Sequence, residues 1–234
     1  MMQKSFLLFF TLLAMALQAQ TYDVGLSLGN VNYIGDVGNS NFIHSSNTAA
    51  AVVAKWNRSK RHSFRFSALF ADISGNDSDS KDARKVARDF SFENSIKELS
   101  LGLEYTFWEW DLWGTNSKAK QTVPYLYSGI TFFHHDQLAL AADGIFKAYD
   151  RSWTAAIPFV IGVKTNLSRH LVFAAELGSR YTFTDNLDGS SPDSLELPID
   201  KNLSFGNANN NDWYFYTGVT LSYTFGRKPC YCIF

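Results

Sequence analysis

The sequence predicts an all-β chain closed into an eight-stranded antiparallel outer-membrane β-barrel, with N- and C-termini on the periplasmic side. Three observations carry that expectation: a strictly alternating closing segment, seven more segments of the same kind joined by long and short connections in turn, and an export signal ahead of them. In the closing segment Trp213, Phe215, Thr217, Val219, Leu221, Tyr223 and Phe225 make one face. Tyr214, Tyr216, Gly218, Thr220, Ser222 and Thr224 make the other. A period of two with a single apolar face marks a strand that meets lipid or core on one side only. Aromatics stand at both ends of the apolar face, as interfacial girdles require.

The export signal comes first in the chain. Lys4 precedes an apolar run from Phe6 to Leu17, and Gln18-Ala19-Gln20 comes after it, the order of a secretory signal peptide. Cleavage after Ala19 gives residues 1–19 as signal peptide, 20–225 as barrel and 226–234 as a periplasmic tail. A spanning helix needs about 20 apolar residues, more than this run supplies, and no cysteine stands directly after it to accept a lipid. Net charge is −1, so a polyanion partner is not implied and nucleic-acid binding is excluded. Phe, Trp and Tyr make up 16% of the chain, which suits girdles. A soluble β-sandwich is the competing architecture; it would bury the apolar faces between two sheets and would need no aromatic belts.

The strands run in order as Tyr22–Asn30, Ala49–Asn57, His62–Ile73, Ile96–Trp110, Val123–His134, Trp153–Asn166, Leu171–Thr184 and the closing segment. Residues 57–61 and 166–169 are tight turns, and 111–122 is a longer one. Residues 31–48, 74–95, 135–152 and 185–211 are polar connections rich in Gly, Asn, Asp and Ser. Short periplasmic turns and long external loops give that asymmetry. Outward sets include Val24/Leu26/Leu28, Phe64/Phe66/Phe70, Leu99/Leu101/Leu103 and Phe159/Ile161/Val163. The opposite parity collects glycines 25, 102, 129, 162, 178 and 218, where a narrow barrel has least room. It also collects Asp23, Glu98, Glu104 and Glu176 against Lys55, Arg65, Lys164 and Arg180. Four acids facing four bases predict a lumen filled by paired charge, because an unpaired charge in a dry interior is too costly to keep.

Residues that could carry chemistry are few, and the sequence predicts neither an enzyme nor a cofactor. His134 and His135 are adjacent on one strand, so they point to opposite faces and cannot act together. No serine and carboxylate share their height and parity, and both read as interfacial or loop histidines. His44, His62 and His170 are isolated. Asp77, Asp79 and Asp82 loosely suggest a calcium loop, but its closing glutamate is missing, so a solvated external loop is expected. Lys81, Arg84, Lys85 and Arg88 form a short basic helix-like stretch that keeps that loop soluble or touches lipopolysaccharide phosphates. Cys230 and Cys232 are too close for an unstrained mutual disulfide and two ligands short of a zinc site.

The motifs Asn32-Tyr-Ile-Gly-Asp36, Phe90-Ser-Phe-Glu-Asn94 leading to Glu98-Leu-Ser-Leu-Gly-Leu-Glu104, Ile157-Pro-Phe-Val-Ile-Gly-Val-Lys164, Arg180-Tyr-Thr-Phe-Thr-Asp-Asn-Leu-Asp188 and Asn211-Asp-Trp-Tyr214 occur in that order. Together they resemble the PorG family, the outer-membrane barrel component of the type IX secretion system of Bacteroidetes, over residues 21–225. The resemblance implies a non-enzymatic subunit that associates with a periplasmic ring of proteins like PorK and PorN and supports export of cargo proteins or gliding adhesins. The other function class is a stand-alone barrel for adhesion, envelope integrity or limited solute passage. Expected partners are outer-membrane lipid, lipopolysaccharide and the ring proteins. The tail residues Arg227, Lys228, Cys230, Tyr231, Cys232, Ile233 and Phe234 are the candidate docking segment, because exposed apolar groups with a charged rim mark such sites.

Overall fold

The computed structural model describes residues 21–39, 47–114, 120–141, 144–192, 204–206 and 211–226. Eight strands run β1 Thr21–Ile34, β2 Asn47–Asn57, β3 His62–Asn76, β4 Ser91–Thr106, β5 Thr122–Leu140, β6 Phe146–Asn166, β7 Leu171–Thr182 and β8 Trp213–Gly226. Each pairs antiparallel with the next, and β8 pairs back onto β1 from Thr21–Gly226 to Ile34–Trp213, so the sheet closes without an edge. The short connections β2–β3, β4–β5 and β6–β7 gather at one end, the turn end. The connections β1–β2, β3–β4, β5–β6 and β7–β8 gather at the other, the loop end.

Alternation sets the facing. Leu26 is 67% exposed and its neighbour Ser27 is 1% exposed. The same contrast recurs around the wall, where Phe66, Leu101, Ile130, Phe159, Ile161 and Leu221 are exposed while Arg65, Ser100, Thr131, Val160 and Thr220 are buried. Apolar side chains therefore clothe the outside and mixed polar ones fill the inside, opposite to a soluble barrel. Two aromatic girdles bound the outer band. Tyr22 stacks with Phe225 and Trp56 with Phe64 at the turn end; His134 packs on Trp153 and Tyr181 on Trp213 at the loop end. Phe215 and Phe225 lie ten residues apart on β8; at about 3.3 Å per residue and a tilt of about 40° that projects to about 25 Å, the height of an apolar membrane band.

The strand bounds depart most from the sequence expectation at β4, β5 and β6. β4 begins at Ser91 rather than Ile96, and it ends at Thr106 rather than Trp110. Beyond Thr106 the chain leaves the ladder because the Trp110 N–H donates to the Lys60 carbonyl of the β2–β3 turn at 2.8 Å. The expected loop 135–152 is mostly a hairpin: β5 and β6 stay paired to Leu140–Phe146, with a bulge between Gln137 and Leu138. Its tip closes through Ala141 N–H to Ile145 O at 3.0 Å and Gly144 at φ +79°. This extension stands above the girdle, where its outer face needs no apolar residues, so apolar alternation gave no sign of it.

Replacing Leu101, at mid-height on the outer face, by Arg should cost about 2–4 kcal/mol, whereas Thr220→Ser inside the barrel should cost far less. Heat-modifiable mobility on gels after refolding into bilayers checks this, with the Leu101 variant losing its folded band first.

Candidate functional site

The interior holds three charge clusters stacked along the axis. Nearest the turn end, Glu104 takes Lys55 at 2.5 Å and Lys164 at 2.7 Å, and the Lys164 ammonium sits 5.0 Å from the Trp110 ring centroid. Next, Arg65 grips Glu176 with two parallel bonds of 2.7 and 2.8 Å, and the Tyr125 hydroxyl donates to the same carboxylate at 2.7 Å. Higher still, Glu98 accepts from Arg180 at 3.2 Å, from Tyr214 at 2.8 Å and from Ser100 at 2.7 Å. All seven charged residues are buried.

The expected balance of four acids and four bases is corrected to three acids holding four bases. Register sets Asp23 opposite Lys55, yet the ammonium turns to Glu104, and Asp23 instead accepts from the Asn57 side-chain amide at 3.1 Å. Aromatic faces supply part of the missing negative field: Arg65 lies 4.8 Å from the Tyr127 centroid and Lys55 5.2 Å from that of Tyr125. Glycine makes room for these rings. A Cβ on Gly162 would fall 2.5 Å from Tyr125 Cζ, and one on Gly218 would fall 2.2 Å from the Tyr216 hydroxyl. Charge and parity alone did not point to these rings; the signal that does is tyrosine recurring at lumen parity, as at Tyr125, Tyr127, Tyr214 and Tyr216.

Apolar layers close the charged band on both sides. Toward the loop end Val31, Leu69, Ile73, Ile96, Phe133 and Tyr214 belong to one packed cluster. At the turn end Trp110, Leu112, Val123 and Val172 form a second, with Trp113 against it. Trp110 was expected to finish a strand; it helps seal the mouth.

A cap of buried aspartates ties the loops over the loop end. Asp188 accepts from the Asp36 and Val37 amides at 3.1 and 3.0 Å and from that of Ser190 at 2.9 Å. Asp212 accepts from the Tyr33 hydroxyl at 2.5 Å and the Leu187 amide at 2.9 Å. Asp77 was expected in a solvated loop but is buried, accepting from Gly38 N–H at 2.8 Å and pairing with Arg88 at 2.7 Å. Its carboxylate is thereby occupied, and Asp82 caps α1 (Ala83–Arg88). Among the described residues no group of His, Cys, Asp and Glu is arranged to hold a metal ion. The basic stretch is divided too. Lys85 donates to the Gly35 and Gly38 carbonyls and Arg88 lies over Phe90 and Phe205, so both hold the cap.

The histidines are not gathered. His134 meets Trp153 in the girdle, whereas His135 turns inward, buried, with Nε2 3.1 Å from Thr154 Oγ1. That inward position corrects its reading as an interfacial or loop residue. His62 packs on Tyr105, and His170 stacks on Tyr223. His44, the signal segment 1–19 and the tail 227–234 lie outside the described residues, so the tail docking residues have no place in this geometry.

A family model matches residues 3–234. The chain belongs to the family described as a domain of unknown function, DUF6089. No curated protein matches the sequence. Among solved structures, Neisserial surface protein A is similar at 10% identity and TM-score 0.48, covering 87% of this chain and 97% of that one. Ail of Yersinia pestis is similar at 7% identity and TM-score 0.44, covering 89% and 99%. OprG of Pseudomonas aeruginosa is similar at 12% identity and TM-score 0.44, covering 90% and 98%. At such identities and scores none of the three carries a role over to the DUF6089 barrel, whose own surfaces and interior must indicate its function.

Glu104→Gln leaves two buried ammonium groups without their carboxylate and should destabilise the barrel by about 3–5 kcal/mol. Asp82→Asn, whose partner Arg84 is exposed and whose replacement still caps the helix, should cost far less. Denaturant unfolding in micelles measures both. The cap should respond to pH. Burial raises the Asp188 carboxyl, and burial together with the nearby Asp188 raises that of Asp212 further. With folded values above the about 3.9 of a free aspartate, the closed cap binds more protons than the open one, so closure is favoured at low pH and weakens as pH rises through the raised values. Amide exchange at Val37 and Leu187, corrected for intrinsic rates, should speed up over that rise, and Asp212→Asn should flatten the dependence.

Proposed function

We propose that this barrel is a non-enzymatic outer-membrane subunit of a type IX protein secretion machine, anchoring a periplasmic ring built from proteins like PorK and PorN and supporting export of cargo proteins or gliding adhesins. The observation that carries the reading is the sealed interior: a charge-filled lumen between two apolar layers offers no route for cargo, so the working surfaces are the outer band and the two ends. The five ordered motifs support the choice of machine. The outer apolar band between aromatic girdles suits the outer membrane, with lipid and lipopolysaccharide around it. The turn end then faces the periplasm and the aspartate cap faces outward. Ring contact falls to the turns and to residues 227–234.

The test is deletion of the gene and then complementation. Loss of cargo export and of ring recovery with the outer membrane, both restored by the intact chain, supports the subunit role. Normal export and ring recovery in the deletion strain would reject it in favour of a stand-alone barrel. Deleting residues 227–234 should leave a folded barrel yet reduce ring recovery.

A further inference from the structure

We infer that the turn end is a basic docking face for an acidic surface on a periplasmic protein, anchored by Arg58, Arg61, Lys120 and Arg169. The inference rests on the proposed orientation of the turn end toward the periplasm, and it adds the chemistry of the partner. The four bases come from all three turns: Arg58 and Arg61 from β2–β3, Lys120 from β4–β5 and Arg169 from β6–β7. All are exposed. The acids among the described turn residues are Glu109 and Asp111, and Lys60 takes both, at 3.0 and 3.6 Å. The other four bases make no ion pair among the described residues. The loop end has the opposite character: in its described connections aspartates such as Asp36, Asp185, Asp188 and Asp212 join those flanking α1 and outnumber the bases there. Among the described residues the two ends of one narrow barrel thus carry opposite excess charge, although the whole chain is almost neutral.

Unpaired cations on three turns around one mouth match a surface that spans the mouth. An acidic protein face laid across the turn end meets all three turns at once. A phospholipid headgroup stays in the leaflet outside the wall and meets one turn at a time. The mouth beneath is already roofed by Trp110 and Leu112, so a partner finds a platform rather than an opening. Trp108, 60% exposed beside that roof, supplies an aromatic contact of the kind that anchors interfaces. Complementary charge of this sort speeds encounter and makes association weaken with salt.

The test compares the intact chain in its envelope with a quadruple variant, Arg58→Gln, Arg61→Gln, Lys120→Gln and Arg169→Gln, and with a control carrying Arg58→Lys, Arg61→Lys and Arg169→Lys. Chemical crosslinking and mass spectrometry identify the bound periplasmic protein and the residues joined. We expect crosslinks from the turns to an Asp- and Glu-bearing surface, recovery at least about tenfold lower in the glutamine variant, retention in the lysine control, and loss with added salt. All variants should keep a heat-modifiable barrel. Recovery of the partner undiminished in the glutamine variant overturns this inference and leaves the secretion role standing. Recovery of no periplasmic protein by the intact chain overturns both. Melting in nanodiscs of phosphatidylcholine with and without phosphatidylglycerol separates the lipid case: a glutamine variant altered only with phosphatidylglycerol, with partner recovery unchanged, assigns the bases to lipid phosphate instead.

Discussion

Four cations stand inside a tube whose walls leave space only for side chains, and the rest of the structure is arranged around keeping them there. An eight-stranded barrel has an interior just wide enough to be filled. Water cannot solvate a charge in it, so each cation must be met by a carboxylate, a hydroxyl or a ring face. Glu104 is the pivot, holding two ammonium groups, one on each carboxylate oxygen. Glu176 and Glu98 each hold one guanidinium, and a tyrosine hydroxyl completes each site.

That arrangement explains the small residues and the seals. Tyr125 reaches Glu176 only because Gly162, opposite it on β6, has no side chain to push the ring away. The apolar layers toward either end keep water from the ion pairs, which strengthens every attraction inside. The cap repeats the scheme with backbone amides as donors: Asp188 ties the first connection to the last, and Asp77 ties the first to the second. Loops fastened in this way make a lid rather than a fringe.

The wall of the barrel was legible because alternation is a local signal. Leu26 and Ser27, or Phe159 and Val160, declare their faces without reference to anything distant. The charges at lumen parity were legible for the same reason, and seven of the eight meet in the three clusters. Which acid meets which base was not legible, since Asp23 faces Lys55 in register but loses it to Glu104 two strands away. Turn residues were misread where a long-range bond decides: Trp110 keeps to the alternation of β4 until its amide finds the Lys60 carbonyl. Aspartates in polar loops look solvated in any sequence, and only the fold brings Asp77 to Arg88 or Asp212 to Tyr33.

A sealed barrel with unlike ends leaves its surfaces to act through, which is the physical content of the anchoring role proposed above. The most direct measurement is single-channel recording of the pure, intact chain in planar bilayers. No stable conductance steps are expected, because the charge clusters and two apolar layers fill the lumen. Reproducible, long-lived current steps that scale with the amount of folded barrel would contradict the sealed interior and the anchoring role built on it.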